Sequence, residues 1–146
     1  MDLRNATGDD HAALRGLLQD IRLPVADLDA SAIDFIVAID AGALAGVVGV
    51  ETFGEVGLLR SLAVRIDQRG HGIGEHLVQA IEARAATQGL RRLVLLTETA
   101  APFFARRGYA AIARDQAPAA VHASAEFRAL CPASATCMIK SLESAS

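Results

Sequence analysis

The stretch Gln68-Arg69-Gly70-His71-Gly72-Ile73-Gly74 constrains this chain more than any other. Its alternating glycines stand between an apolar run ending Leu62-Ala63-Val64 and a segment in which Ile73, Leu77, Val78, Ile81 and Ala85 recur at the spacing of one helix face. Glu75, Gln79, Glu82 and Gln88 take the opposite face, and Gly89 stops the helix. A strand that passes through such a loop into a helix leaves several backbone N–H groups and the positive end of the helix dipole at one spot. No Cβ obstructs approach to it. The loop therefore reads as an anion cradle suited to a phosphate or pyrophosphate. It is not a P-loop, which needs Gly, four residues, then Gly-Lys-Ser/Thr. Nor is it a dinucleotide fingerprint, because the third glycine comes one residue early. A nucleotide hydrolase and a nicotinamide enzyme are both disfavoured.

The rest of the chain supplies the setting for that loop. Leu3 to Ala6 reads as a short strand, followed by a helix that Thr7 or Asp9 caps, with Ala13, Leu14, Leu17, Leu18 and Ile21 on its apolar face. Leu23-Pro24 ends it, and Ala26 to Asp34 is either a loop or a second short helix. Phe35 to Ile39, Ala43 to Thr52 and Val56 to Val64 read as an antiparallel meander with turns at Asp40-Ala41-Gly42 and Phe53-Gly54-Glu55. After the loop and helix, Leu93-Val94-Leu95-Leu96 is a continuous apolar strand, as expected for one buried on both faces. Val56 to Thr97 is thus a strand-loop-helix-strand crossover. Pro102 to Arg107 reads as a short helix, Tyr109 to Ala113 as a strand, Ala117 to Leu130 as a helix and Ala135 to Leu142 as the closing strand. With no repeat or linker, the expected organisation is one α/β domain over residues 1–146.

Composition narrows the partners. A net charge of -3 offers no basic excess to neutralise a phosphate backbone, which argues against nucleic acid. The apolar stretch Ala43 to Val50 is far shorter than the roughly 20 residues that cross a bilayer, and Met1-Asp2-Leu3-Arg4-Asn5 is too polar for a signal peptide. A soluble cytoplasmic protein is expected. The two cysteines, Cys131 and Cys137, match no zinc spacing and build no disulfide framework. Two cysteines six apart form at most part of a site for a soft element such as trivalent arsenic, and two small buried residues is the plainer reading.

Arg69-x-x-Gly72-x-Gly74, between a strand ending Leu62-Ala63-Val64 and a long helix, resembles motif A of the GNAT superfamily of acetyl-coenzyme A-dependent acyltransferases. The opening Leu3-Arg4-Asn5-Ala6-Thr7-Gly8-Asp9, the meander, the loop-helix-strand unit and Phe103-Phe104-Ala105-Arg106-Arg107-Gly108-Tyr109 follow in that family's order, so the resemblance covers nearly the whole chain. Three strings look like the GNAT proteins known as arsenic-resistance N-acetyltransferases. They are Gly57-Leu58-Leu59-Arg60-Ser61-Leu62-Ala63-Val64, Leu95-Leu96-Thr97-Glu98-Thr99-Ala100 and Glu126-Phe127-Arg128-Ala129-Leu130-Cys131-Pro132-Ala133-Ser134-Ala135. The resemblance implies a mixed, mostly antiparallel sheet of about six or seven strands with a splayed parallel pair and flanking helices. It further implies acetyl-coenzyme A as cosubstrate, a small-molecule amine as acceptor, no metal, and the dimerisation common in the superfamily. On that pattern the pantetheine arm lies beside Leu62, Ala63 and Val64, the Val64 N–H polarises the thioester carbonyl, and Arg69, Gly70, Gly72, Ile73 and Gly74 hold the pyrophosphate. His71 belongs to the same loop, and its side chain reads as solvated.

Acetyl transfer to an amine also needs a proton acceptor and favours a proton donor for the leaving thiolate. Glu51 ends the apolar run Val47-Val48-Gly49-Val50, where loss of hydration suits a base; equally, it reaches solvent at a strand end. Glu98, just past the parallel strand, is the second candidate base, with a surface carboxylate as its alternative, and Glu126 is the third; both are also candidates for contact with the acceptor. The family often carries a tyrosine acid four residues before the glycine that ends the short helix, and here that position is Phe104. Tyr109 falls where the family keeps a core phenylalanine. The thiolate then leaves unassisted, takes a proton from water, or uses Ser61. Strand alternation puts Arg60 and Ser61 on opposite faces. Arg60, in a run of leucines, either holds an anionic group of the acceptor or makes an internal salt bridge, for instance to Glu51. Asp27, Asp29 and Asp34 read as a solvated acidic face. Two other classes remain open: a non-catalytic coenzyme A-binding sensor on the same fold, and an arsenical-binding thiol protein.

Overall fold

Apolar runs over the first half of the chain become β1 (Asp2–Asn5), β2 (Ile33–Asp40), β3 (Ala43–Phe53) and β4 (Val56–Val64) in a computed structural model that describes residues 1–142. Residues 143–146, the last of the expected domain, lie outside the described residues. β5 (Arg92–Thr97), β6 (Ala110–Ile112) and β7 (Thr136–Ser141) complete a seven-stranded sheet ordered β1-β2-β3-β4-β5-β7-β6. Every neighbouring pair is antiparallel except β4 and β5. The expected architecture is therefore present, with β7 inserted between β5 and β6.

Period-two alternation sends the strand residues to two covers. Ile36, Ala38, Val48 and Val50 meet Leu77, Val78 and Ile81 of α2 (Ile73–Thr87) on one face. Val37, Val47 and Ala63 meet Leu14, Leu17 and Leu18 of α1 (His11–Asp20) on the other. Each such leucine, fully buried, contributes about 1.5–3 kcal/mol of transfer free energy. Gly46 permits the close approach of α2, since a Cβ there would stand 2.9 Å from Leu77 Cδ1. The end of β4 nearer β5 buries Val56, Leu58, Val94, Val121, Phe127 and Cys137 together.

Two irregularities shape the functional region. Parallel pairing runs only from Val56–Leu58 to Arg92–Val94, although β4 continues to Val64 and β5 to Thr97, so the two strands part beyond Leu58. The β3–β4 register also shifts: Val47 faces Ala63 while Gly49 faces Arg60, so Ser61 and Leu62 together oppose Val48. Ser61 takes a φ of 60° at this bulge, the left-handed region that side chains seldom adopt.

The connections correct several sequence-based boundaries. Ala26 to Ala30 forms turns rather than a helix. The short helix is α3 (Ala101–Ala105). The helix predicted over Ala117 to Leu130 is absent: a 3-10 turn spans Ala119–Ala123 and a single π turn spans Glu126–Leu130. Ser124 separates them in extended conformation (φ -67°, ψ 153°), and its Oγ accepts the Phe127 N–H at 3.2 Å. Alanine-rich periodicity cannot register such a break, because alanine fits nearly any turn.

Candidate functional site

The parting of β4 and β5 opens a cleft of about 1200 Å³. One end is walled by Arg69, Gly70, Gly72, Ile73 and Gly74, the middle by Leu62, Ala63, Val64, Leu95, Leu96, Thr97 and Phe104, and the far end by Arg60, Ser61, Glu126 and Cys131. Glu98, exposed just past β5, also borders it. His71 is exposed and stands outside the lining.

The loop end fits a pyrophosphate. Gly70 and Gly72 have φ of 86° and 77°, and a Cβ at Gly70 would meet nothing within 4 Å, so the backbone there is bare. Gly72 directly precedes α2, a 15-residue helix whose first N–H groups have no partner within the helix. Arg69 bends back, its Nε donating to the Val64 carbonyl at 3.3 Å.

The middle supplies an N–H. Successive backbone groups of a strand point to opposite edges. The Arg65 N–H crosses to the Ala45 carbonyl on β3 at 2.9 Å, so the Val64 N–H turns to the other edge, into the opening toward β5.

The far end holds a buried charge cluster. The Arg60 side chain is 0% exposed. Its Nη1 donates to Asp27 Oδ2 at 2.6 Å and to Glu51 Oε1 at 2.7 Å, its Nη2 donates to Asp27 Oδ1 at 2.8 Å, and its Nε lies 3.4 Å from Glu126 Oε2. Nε also donates to Ser61 Oγ at 3.2 Å, so the bulge brings together two side chains that regular alternation would have separated. Burial disfavours the Arg60 charge, but the surrounding carboxylates outweigh it and hold the guanidinium firmly protonated. Burial likewise pushes the Asp27 carboxyl up, yet hydrogen bonds from Arg60 and Ser31 leave it below its usual value. Glu126 is different. Burial dominates, Asp27 and Glu51 repel its charge, and Arg60 together with a hydrogen bond from Cys131 only partly compensates, so its carboxyl is pushed up to about 7. Burial and the Glu126 charge push the Cys131 thiol up to about 12.

These positions correct the readings of Glu51 and Asp27, decide between the two alternatives for Arg60 in favour of the internal salt bridge, and keep Tyr109 at a core position as expected. Arg60 is not open to an acceptor anion, because three carboxylates already occupy it. Glu51 is spent on Arg60 and does not line the cleft. Asp27 is buried rather than solvated, whereas Asp29 is exposed and pairs with His11 and Arg15. Tyr109 is buried with its hydroxyl donating to Glu82 Oε2 at 2.8 Å, away from the cleft. Asp27 shares a short acidic stretch with the exposed Asp29, and such a loop has no period to separate a buried carboxylate from a solvated one; its flanking Val25, Ala26 and Leu28 were the available signal.

A family model described as an acetyltransferase (GNAT) domain matches residues 31–111. The amino-acid acetyltransferase of Ectopseudomonas mendocina is 42% identical over 66 residues, which are 45% of this chain and 15% of that protein. This chain thus aligns with only a small part of such relatives. Among solved structures, N-acetylglutamate synthase from Neisseria gonorrhoeae, complexed with coenzyme A and N-acetyl-glutamate, superposes with a TM-score of 0.81 at 21% identity, covering 97% of this chain and 35% of that one. A Mycobacterium tuberculosis protein in complex with CoA and NLQ gives 0.76 at 22% identity, covering 98% of this chain and 100% of that one.

Proposed function

The chain belongs to the GNAT acetyltransferase family, and on that premise we propose that it moves the acetyl group of acetyl-coenzyme A to the amine of a small, amino acid-like molecule. One observation carries the reading: a single cleft joins the bare glycine loop, the strand edge at Val64 and the buried carboxylate of Glu126. Acetyl-coenzyme A, when bound, supplies an acetyl group activated as a thioester. The loop holds its pyrophosphate through main-chain N–H groups, with Arg69 adding positive charge. The Val64 N–H donates to the carbonyl oxygen as negative charge develops there.

Glu126 is the proposed proton acceptor in place of Glu51. It faces the cleft, and a carboxyl that titrates near neutral pH both accepts and releases a proton readily. Glu51 and Asp27 are positioning residues: they fix Arg60, which in turn sets the orientation and charge of Glu126. Ser61 is the proposed donor to the departing thiolate, with water in the open cleft returning a proton to its hydroxyl as it gives its own. Its Oγ accepts from Arg60 Nε, which leaves its own hydroxyl proton free for the cleft. Phe104, buried at the cleft wall, has no proton to give.

The amino acid-like acceptor is supported by the curated relatives, which carry the name amino-acid acetyltransferase. A link to arsenic resistance is a finer reading supported only by the three residue strings around Arg60, Glu98 and Glu126. Two free thiols accord with a reducing compartment, so the cytoplasm is the proposed setting.

Thiol release from acetyl-coenzyme A over a panel of amino acids, simple amines and an arsenical amino acid tests these readings, with coenzyme A binding followed by calorimetry. Turnover with at least one amino acid is expected. Binding without thiol release for any amine overturns the transferase in favour of a coenzyme A sensor, the reading that the absent tyrosine at Phe104 favours. An arsenical no faster than plain amino acids removes the arsenic link.

A further inference from the structure

With Arg60 engaged on all sides, an anionic group of the acceptor needs another cation. Four arginines line the cleft: Arg22, Arg60, Arg69 and Arg107. Arg69 turns onto the Val64 carbonyl beside the glycine loop. Arg107 donates to the Phe103 carbonyl at 2.8 Å, lies over the Phe103 ring at 3.7 Å and approaches Glu75 at 3.6 Å, so it belongs to the α2 end. Arg22 is exposed, and its side chain has no ion pair or hydrogen bond among the described residues.

Arg22 lines the same cleft as Ser61 and Glu126. It lies in the connection that leaves α1 and delivers Asp27 to Arg60, and Arg60 touches Glu126. Four residues of chain separate Arg22 from Asp27, so their Cα atoms lie at most ~18 Å apart. The backbone there is held in place: Arg22 has a φ of 64°, while its N–H donates to the Gln19 carbonyl and the Leu23 N–H to the Leu18 carbonyl. A left-handed non-glycine residue costs about 1–2 kcal/mol and persists only where its surroundings require it.

We propose that Arg22 is the specificity residue of the acceptor site, holding the carboxylate of an α-amino acid while Glu126 faces its amine. This rests on the transferase reading and deepens it. The acceptor end then presents one free cation and one buried carboxylate, the charge complement of a zwitterion. A planar guanidinium receives a carboxylate through two parallel hydrogen bonds, whereas an uncharged amide offers it a single acceptor oxygen.

The test compares the twenty standard L-amino acids with the primary amide of each one that turns over, in the wild type, Arg22→Asn and Arg22→Lys. Asparagine tolerates the left-handed backbone, so the first variant removes charge with little strain. Arg22→Asn is expected to raise the KM for the amino acid at least tenfold, with kcat within twofold and the amide KM raised far less. Arg22→Lys restores the charge without the two-pronged geometry and is expected to recover only part of the loss. Equal shifts for acid and amide, or no shift, overturn the assignment. A rise in the KM for acetyl-coenzyme A instead assigns Arg22 to a phosphate of the cosubstrate and also overturns it. If no amine turns over, the transferase reading fails separately. Calorimetry of the same amino acids against coenzyme A-loaded protein then decides: weaker binding by Arg22→Asn supports the carboxylate role, and no binding or equal binding by both proteins removes it.

Discussion

Arg60 and Asp27 meet through two parallel hydrogen bonds, Nη1 to Oδ2 at 2.6 Å and Nη2 to Oδ1 at 2.8 Å, and this pair ties β4 to the connection after α1. The geometry is the bidentate one that makes arginine–carboxylate contacts directional as well as strong. It also fixes the place of Glu51 and Glu126, which share the remaining faces of the same guanidinium.

Removing Arg60 leaves three buried carboxylates with no cation between them. Breaking one side of a buried pair costs roughly 3–5 kcal/mol. Arg60→Met is therefore expected to lose at least that much stability in urea unfolding at pH 8, where Glu126 is charged. The loss shrinks at pH 5, where the carboxylates are more easily neutralised. A loss under about 1 kcal/mol at both pH values would mean that solvent reaches the cluster, contrary to its burial.

Glu126 sets the expected pH profile. A proton acceptor works only in its charged form, so kcat/KM is expected to rise as pH passes about 7 and to level off above it. Glu126→Gln removes that limb along with most of the rate. Folding responds in the opposite sense. The folded chain keeps the Glu126 proton up to about 7, whereas the unfolded chain releases it near the ordinary 4.5. More protons are bound folded in that window, so stability falls as pH rises through it. A limb that survives in Glu126→Gln assigns the titration to another group.

The sequence carried the architecture because its strongest signals are local. Three β-branched and leucine-rich runs, one Gly-rich loop and one amphipathic helix follow in order, and each became the element its period predicted. The loop end of the site was legible for the same reason: glycines at Gly70, Gly72 and Gly74 have a meaning that does not depend on distant residues. The acceptor end was not legible. Glu126 and Asp27 are 99 positions apart, and only the sheet topology and the bulge at Ser61 bring them to one guanidinium. A one-residue irregularity in β4 also decides which side chains share a face, and nothing in Leu59-Arg60-Ser61-Leu62 announces it.

Gly72 should matter more for the cosubstrate than for the fold. Alanine there keeps a left-handed φ of 77° at a cost of about 1 kcal/mol and adds a methyl group to the cradle. Gly54 has a φ of 66° in a turn away from the cleft, so Gly54→Ala serves as the control. Both variants are expected to lose similar stability, and only Gly72→Ala to weaken coenzyme A binding, by about tenfold or more in calorimetry. Equal coenzyme A affinities would detach the loop from the cosubstrate.

Tyr109 is expected to be structural. Its hydroxyl donates to Glu82, which also accepts from Lys140 at 3.0 Å, and burial together with Glu82 raises its proton affinity further. Tyr109→Phe should cost about 1.5–3 kcal/mol, the range for a hydrogen bond to a charged group. Because Tyr109 lies outside the cleft lining, kcat should stay within twofold of wild type. A hundredfold fall in kcat with stability retained would make the tyrosine part of the chemistry.

Ser61 offers the sharpest test of how the thiolate leaves. The residue has a positive φ, so Ser61→Gly removes the hydroxyl while easing the backbone, and Ser61→Ala removes it while keeping the Cβ strain that serine already bears. General acids contribute roughly 10²–10⁴-fold in rate. A thiol with a pKa near that of cysteine, about 8.5, is a tolerable leaving group, which places the expected loss at the low end. Ser61→Gly should therefore lower kcat by about 10- to 100-fold, leave the KM for acetyl-coenzyme A unchanged and unfold no earlier than wild type. The dependence should also change with the leaving group: an acetyl thioester of a more acidic thiol needs less protonation, so the variant's deficit should shrink with it. A deficit that stays constant across thiols would show that Ser61 acts through Arg60 on Glu126, and would leave the thiolate to take its proton from water.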